Sequence, residues 1–249
     1  MIKYELRGDE MIKKYFLLSI LIVFVLMAGC NSDNVSETNG SIHIGGDYHI
    51  GNDLNELESM ADLIVIGEYG TLEKKWNMAR DRQDPKKEST ENYFEGNLYN
   101  FKIDETIKGT SESEILVNLA YEEEHKYPNE SGDDFKFSVK DPYYVEPESH
   151  VKYVLFLKKD EMFGNYYGAI EPFQVKIDKN NRVHLVTNQI LNEEIKNNSE
   201  VHNGKIHFHT QTELEGKTIE IETEVIAIDN FLDGLNLKQL KNTLINKDK

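Results

Sequence analysis

The chain is poor in cysteine and in basic residues. Its 249 residues include one Cys, one Trp and five Pro, and 28 Lys and Arg stand against 45 Asp and Glu. A single Cys excludes an internal disulfide framework and any zinc or iron–sulfur site built from several cysteines. The formal net charge of −17 argues against a nucleic-acid-binding protein, which needs a basic face, and against electrostatic docking on anionic lipid.

The sequence also lacks the common catalytic signatures. It contains no G-x-S-x-G nucleophile elbow, no H-E-x-x-H zinc motif, no P-loop and no dinucleotide-binding glycine pattern. Paired carboxylates, which serve in acid–base catalysis, single out no residue in a chain with this many acids. We therefore predict that the protein is not an enzyme. An envelope hydrolase that works through carboxylates the sequence does not identify is kept as an alternative.

The residues before position 30 are typical of an export signal. Lys13 and Lys14 precede an apolar run that extends from Tyr15 to Ala28. This run is shorter than the roughly 20 apolar residues of a transmembrane helix, but it has the length of the apolar region of a signal peptide. Residues 1–29 are therefore predicted to be a signal peptide.

Met27-Ala28-Gly29-Cys30 resembles the lipobox of bacterial lipoproteins. In that family the signal peptide is cut before the cysteine, and the thiol receives a diacylglyceryl group. The resemblance implies that Cys30 is lipidated and that the protein is held on the extracytoplasmic face of the cell membrane. Each buried methylene of an acyl chain stabilises such an anchor by about 0.8 kcal/mol.

The rest of the chain divides into a tether and a domain. Residues 1–10 do not fit an export signal, because two acids precede the basic region, so we expect translation to begin at Met11. Residues 30–52 are predicted to be the lipidated Cys and a flexible tether, since most of them are small or polar. Residues 53–249 are predicted to form a single, mostly-β domain.

Short runs of alternating apolar residues recur through this domain. Asp53 is predicted to cap a short helix with Glu56 as its reciprocal partner, and residues 237–244 have the pattern of a C-terminal amphipathic helix. Strands are predicted over 61–76, 99–103, 115–119, 135–139, 151–157, 173–177, 183–185 and 217–228. Residues 121–134 are predicted to be an acidic loop. Many short strands without β-α-β alternation favour a barrel or sandwich.

Three segments, at 61–67, 99–109 and 153–157, resemble a recurring bacterial extracytoplasmic pattern and the netrin-like domain of the tissue inhibitors of metalloproteinases. The resemblance covers about residues 53–185 and implies an OB-type, five-stranded Greek-key β-barrel. Those inhibitors chelate the protease zinc with a free N-terminal cysteine and are braced by disulfides. Since this domain has no Cys, protease inhibition is not carried over to it.

A histidine-rich segment follows at residues 201–209. If Asn203-Gly204 forms a two-residue turn, one surface carries four polar side chains: Glu200, His202, His207 and His209. Imidazoles with a carboxylate suit zinc, copper or nickel, which makes a metal-binding lipoprotein an alternative. The other interpretation is a solvated strand face that binds nothing. We predict no cofactor and keep a divalent metal as the alternative.

Two adjacent tyrosine pairs, Tyr143-Tyr144 and Tyr166-Tyr167, offer a binding surface if one member of each faces outward. Exposed tyrosines stack on sugars or pack against a protein partner, and OB-type domains bind ligands at their loops. The alternative is ordinary core and rim aromatics. The sequence thus predicts a lipid-anchored binding or interaction protein of the bacterial cell envelope. Its partner is an envelope protein or glycan, not a nucleic acid.

Overall fold

The computed structural model describes residues 38–45, 48–128, 134–188, 205–214 and 217–245. The predicted signal peptide and Cys30 lie outside these ranges, as do Glu200 and His202. The described residues are mostly β, in agreement with the predicted fold class. In these ranges, no helix has the length and apolar character needed to cross a membrane.

The described elements are eleven strands and two helices, numbered in chain order. The strands are β1 Thr38–Gly45, β2 Leu63–Asn77, β3 Phe94–Lys108, β4 Glu114–Pro128, β5 Asp134–Lys140, β6 Lys152–Lys159, β7 Tyr166–Gly168, β8 Gln174–Ile177, β9 Val183–Leu185, β10 Lys205–Leu214 and β11 Lys217–Ile226. The helices are α1 Leu54–Met60 and α2 Leu237–Ile245. Both helices were expected from the sequence.

The strands form two sheets in a Greek-key-like arrangement. The smaller sheet has the order β1-β11-β10, and the larger has the order β2-β3-β4-β7-β6-β8-β9, with β5 on β4. β2 also pairs with β6, so both of its edges are used. β4 and β7 run parallel through the pairs Val117 with Tyr166 and Asn118 with Tyr167. The β2–β3, β3–β4, β2–β6 and β6–β7 pairs are antiparallel.

The core is built on β6. Its residues from Tyr153 to Leu157 are all buried, as the unbroken apolar run predicts for a strand covered on both faces. In the neighbouring β2, Gly67 lies against the β3 backbone so closely that a Cβ atom there would come within 2.0 Å of the Lys102 carbonyl oxygen. The register shifts at this glycine, so β2 has a bulge or irregularity there.

α1 begins at the predicted cap. The Asp53 side chain accepts hydrogen bonds from the backbone N–H groups of Asn55 and Glu56 at 2.7 and 2.9 Å. Glu56 reaches back to the N–H of Asn52 at 2.9 Å, one residue before the partner that the capping pattern predicts. The cap directs the buried Leu57 toward the main core.

Two predictions for individual segments are wrong. Residues 121–134 are not all loop, because β4 continues to Pro128 and pairs with β5 along its length. Beyond residue 121, β4 and β5 form a two-stranded extension, on which Glu124 pairs with Lys136 at 2.9 Å. The charged residues of this extension face solvent and give the segment the composition of a loop. The predicted tether contains β1, in which half-buried Ile42 and Ile44 alternate with exposed residues.

Candidate functional site

A groove lies at the end of β2, where the chain's one tryptophan is found. Trp76 is only 8 % exposed, and its Nε1 donates a hydrogen bond to Oδ1 of Asn118 on β4 at 2.7 Å. Asn118 in turn donates from Nδ2 to the sulfur of Met78 at 3.2 Å. An indole N–H that is buried normally finds such a partner, and here the partner fixes the ring in place. These three side chains form the floor of the groove.

The floor depends on a glycine. Gly96 on β3 faces Trp76 in the β2–β3 register. A Cβ atom at this position would come within 2.4 Å of the Asn118 Oδ1 and 2.6 Å of the Met78 sulfur. Any side chain at position 96 therefore displaces the two groups that hold the indole.

Arg80 forms one wall of the groove. Its guanidinium lies 4.6 Å from the ring centre of Trp76 and 3.7 Å from that of Phe163, so it packs against two aromatic rings that also contact each other edge to face at 5.4 Å. Nη1 donates to the Asn77 carbonyl oxygen at 3.2 Å. Partial burial lowers the pKa of Arg80, whereas the charges of Asp160 and Glu88 act in the opposite direction.

The connection that carries Arg80 is held by its own backbone. In the residues between β2 and β3, the N–H of Ser89 bonds to the Ala79 carbonyl at 2.8 Å, and that of Asp81 bonds to the Lys87 carbonyl at 3.0 Å. The Asn77 amide donates to the Ser89 carbonyl at 3.0 Å. Residues 78–93 are thus a folded connection that fixes where Arg80 points.

The opposite wall is the turn between β6 and β7. Oδ1 of Asp160 accepts from the N–H groups of Met162 and Phe163 at 2.8 and 3.1 Å, which closes the turn and presents the Phe163 ring to Arg80. The groove between the walls has a volume of about 550 Å³. Tyr167 also lines it and is 40 % exposed.

The two tyrosine pairs therefore differ. Tyr167 faces outward into the groove while Tyr166 packs against the core, as predicted for this pair. In the other pair, Tyr143 is buried and the hydroxyl of Tyr144 lies 3.2 Å from that of Tyr99. The alternative interpretation, core and rim aromatics, applies there, because the Tyr143 ring packs against Ile206 and Val225 and the Tyr144 ring against Tyr121.

The histidines lie on the solvent face of the smaller sheet. Nδ1 of His207 is 2.6 Å from a carboxylate oxygen of Glu222, and Nδ1 of His209 is 2.9 Å from one of Glu220. On the opposite face, Ile206 is buried. These carboxylates come from β11, which pairs with β10 along its whole length. The only carboxylate predicted for this face from the sequence, Glu200, lies outside the described residues.

A third histidine joins this face from the predicted tether. Nδ1 of His43 on β1 lies 3.4 Å from the second carboxylate oxygen of Glu222. The hydrogen bonds from His207 and then from His43 lower the pKa of Glu222. In the described part of the chain, no group of three or more His, Cys, Asp or Glu side chains is arranged to hold a metal ion. We call the face formed by His43, His207, His209, Glu220 and Glu222 the histidine face.

The structure also brings together two acids that sequence reasoning did not single out. Asp141 and Glu171 line one small cavity of about 20 Å³. Each keeps some accessible surface, yet protein atoms surround both carboxyl groups closely. Burial raises the pKa of Glu171 to about 8 and that of Asp141 to about 6. The signal in the sequence is the apolar surrounding of Glu171, which lies between Ile170 and Phe173.

Comparisons of the chain with protein-family models, with curated proteins and with solved structures give no match.

Proposed function

We propose that this protein is a lipid-anchored, extracytoplasmic binding protein of the bacterial cell envelope, without enzymatic activity, that holds a glycan in the Trp76 groove. The observation that carries the proposal is the groove itself. Its floor is hydrogen-bonded, its volume is about 550 Å³, and it combines the exposed ring of Tyr167 with the guanidinium of Arg80 and the amide of Asn118.

The proposal includes an OB-type barrel, which the strand pairing supports. The pairs β2–β3, β3–β4, β4–β7, β7–β6 and β6–β2 form a ring of five strands, in which β4 and β7 are parallel. In OB-type barrels, ligands are bound by the loop after the first strand, the loop before the fifth, and the face of the second and third strands. Arg80 and Asp160 lie on the two corresponding loops, and Asn118 on the corresponding third strand. The correspondence between these positions and the ligand sites of OB-type barrels rests on fold analogy.

The chemistry of the groove favours a glycan among the ligands of such barrels. OB-type domains bind oligonucleotides and oligosaccharides. A net charge of −17 opposes the approach of a phosphate backbone. A sugar ring is neutral, stacks its apolar face on an aromatic ring such as Tyr167, and accepts hydrogen bonds from planar donors such as Arg80.

The two alternatives from the sequence receive less support. For an envelope hydrolase, the best carboxylate pair is Asp141 and Glu171, but a cavity of about 20 Å³ holds one water and no substrate. For a metal-binding lipoprotein, the rings of His207 and His209 already have carboxylate partners. Neither alternative explains the groove.

The groove contains its own reporter, because Trp76 is the only tryptophan. Titration of the lipoprotein in detergent with cell-wall glycan fragments is expected to change the tryptophan emission. Tyr167→Ala should weaken this response, and Tyr127→Ala should preserve it, since Tyr127 is similarly exposed but lies on the β4–β5 extension. A groove that binds an envelope protein, or nothing, would give no response to any glycan.

The anchor is tested separately. We expect radiolabelled palmitate to be incorporated into the protein in its bacterial host and the label to be lost in Cys30→Ala. Absence of the label from the wild-type protein would contradict the lipid anchor and leave the groove proposal untouched.

A further inference from the structure

The two sheets are connected through Tyr143, which follows β5. Its ring is buried against Ile206 of β10 and Val225 of β11. Its hydroxyl donates to the carbonyl of Ile226 and accepts from the N–H of the same residue, both at 2.9 Å. The side chain of Tyr143, which follows β5 of the larger sheet, therefore satisfies both the N–H and the carbonyl of Ile226 at the end of β11.

Tyr143 is positioned by Asp141. The Asp141 carboxylate accepts from the N–H of Tyr143 at 2.8 Å, and the Asp141 N–H donates to the carbonyl of Tyr121 on β4 at 2.8 Å. The edge of the Tyr48 ring packs against Tyr143 with 4.8 Å between ring centres. Thus the acid at the start of this segment holds the tyrosine that connects the sheets.

Glu171 lies across the small cavity from this segment. Its N–H donates to the His49 carbonyl at 3.2 Å, and its carbonyl accepts from Gly51 at 2.6 Å, so its backbone is fixed against residues 49–51. Asp141, Tyr143 and Glu171 all line the cavity. A change in charge on either acid therefore acts directly on the surroundings of Tyr143.

The described surroundings supply no cation to balance these acids. Neither has a Lys, Arg or His within ion-pair distance among the described residues. The titratable groups that face the pair are Glu123 from β4, Tyr48, Tyr69 from β2, Tyr143 and Tyr144; they are acidic or neutral. Desolvation and mutual repulsion raise the pKa of Glu171 to about 8, so the second negative charge appears only at alkaline pH.

We propose that protons bound by the Asp141–Glu171 pair lock the smaller sheet onto the rest of the domain through Tyr143, and that loss of these protons releases it. At acid and neutral pH the pair carries at most one negative charge, and the hydroxyl of Tyr143 stays on Ile226. When both carboxylates are ionised, they repel each other across a space the size of one water, and the segment that carries Tyr143 moves away from β11.

The test follows hydrogen exchange in peptides from residues 205–226 of the full lipoprotein in detergent at pH 6, 7.5 and 9, after correction for the intrinsic exchange rate. Because the pKa of Glu171 is raised in the locked state, we expect protection to fall by roughly tenfold per pH unit as the pH rises from 6 toward about 8, and to level off above that value. Glu171→Gln, which cannot ionise, should retain its protection at pH 9. Protection in the wild-type protein that does not change with pH would overturn the proposal.

Three further variants separate the lock from other causes. His207→Gln removes an imidazole from the same sheet and should keep the wild-type pH dependence. If this variant loses the pH dependence, the effect belongs to the histidine face instead. Tyr143→Phe should lower protection at every pH, and an unchanged value would show that the hydroxyl is not the connection. If Glu171→Gln does not fold, Asp141→Asn serves in its place, and wild-type pH dependence in that variant would contradict the proposal.

Discussion

The Trp76 groove and the histidine face are both polar clusters at the surface of a sheet, but they use their polar groups differently. In the histidine face, the Nδ1 atoms of His207 and His209 already face carboxylates of β11, so part of the hydrogen-bonding capacity of the cluster is used within the protein. In the groove, the floor and the Asp160 turn are internally bonded, but the guanidinium of Arg80 packs against two rings and makes one described hydrogen bond, to the Asn77 carbonyl. The difference teaches that a concentration of functional groups marks a binding site only where the fold leaves some of them unpaired.

The largest effect on this comparison is expected from a substitution in β3 that disturbs the groove floor. Gly96→Ala places a methyl group against Asn118 and Met78, and we expect it to destabilise the protein by about 1–3 kcal/mol, the usual cost of overpacking. Urea denaturation measures this. Gly70→Ala in β2 is the matched control, because a Cβ there meets nothing closer than 3.5 Å. Equal losses in both variants would show that the floor is not tightly packed.

The next effect concerns affinity. Arg80→Ala removes the cation packed against the two rings, and we expect it to weaken glycan binding by about tenfold, or about 1.4 kcal/mol, as measured by the Trp76 emission titration. His209→Ala, in the histidine face, should bind as the wild-type protein does. The comparison fails if the histidine variant loses affinity and the arginine variant keeps it.

A smaller effect is expected from His207→Ala. The pKa of Glu222 is lowered in the folded protein, so its interaction contributes stability above the ordinary value of 4.5, and this contribution is lost as the pH falls through the lowered value. The melting temperature should therefore fall by less than about 4 °C at pH 6, because the pair is exposed, and the difference should vanish in more acidic solution. A difference that grows with acid would contradict this sign.

The smallest expected effect is that of metal. We expect Zn²⁺, Cu²⁺ or Ni²⁺, added after a chelator, to leave the melting temperature unchanged. A bound ion at a hundred times its dissociation constant adds about 2.7 kcal/mol, which for a chain of this length is a rise of roughly 5–10 °C. Such a rise, lost in His207→Ala, would mean that the histidine face exchanges its glutamate partners for a ligand.

Elements that depend on neighbouring residues could be predicted from the sequence. The Asp53 cap is one, since its partners are two and three residues away. The buried strand β6 is another, because five consecutive apolar residues leave no solvent face. Both are local patterns with a single physical interpretation.

Elements that depend on distant pairing could not. β4 has the composition of a loop beyond residue 121, and only its pairing with β5 makes it a strand. Trp76 and Asn118 are 42 residues apart, and Glu222 contacts a histidine from the predicted tether. Asp141 and Glu171 are common residue types whose importance comes from the cavity they share. No periodicity or spacing in the sequence carries this information.

The position of Arg80 has a consequence for resistance to proteases. A long connection such as residues 78–93, with basic residues along it, is where proteases usually nick a folded protein. A trypsin-like enzyme must draw the arginine side chain and several residues of extended backbone into its own cleft. Here the guanidinium packs against two rings, and the connection is bonded to itself. The stacking that shapes the groove also withholds this peptide bond from digestion.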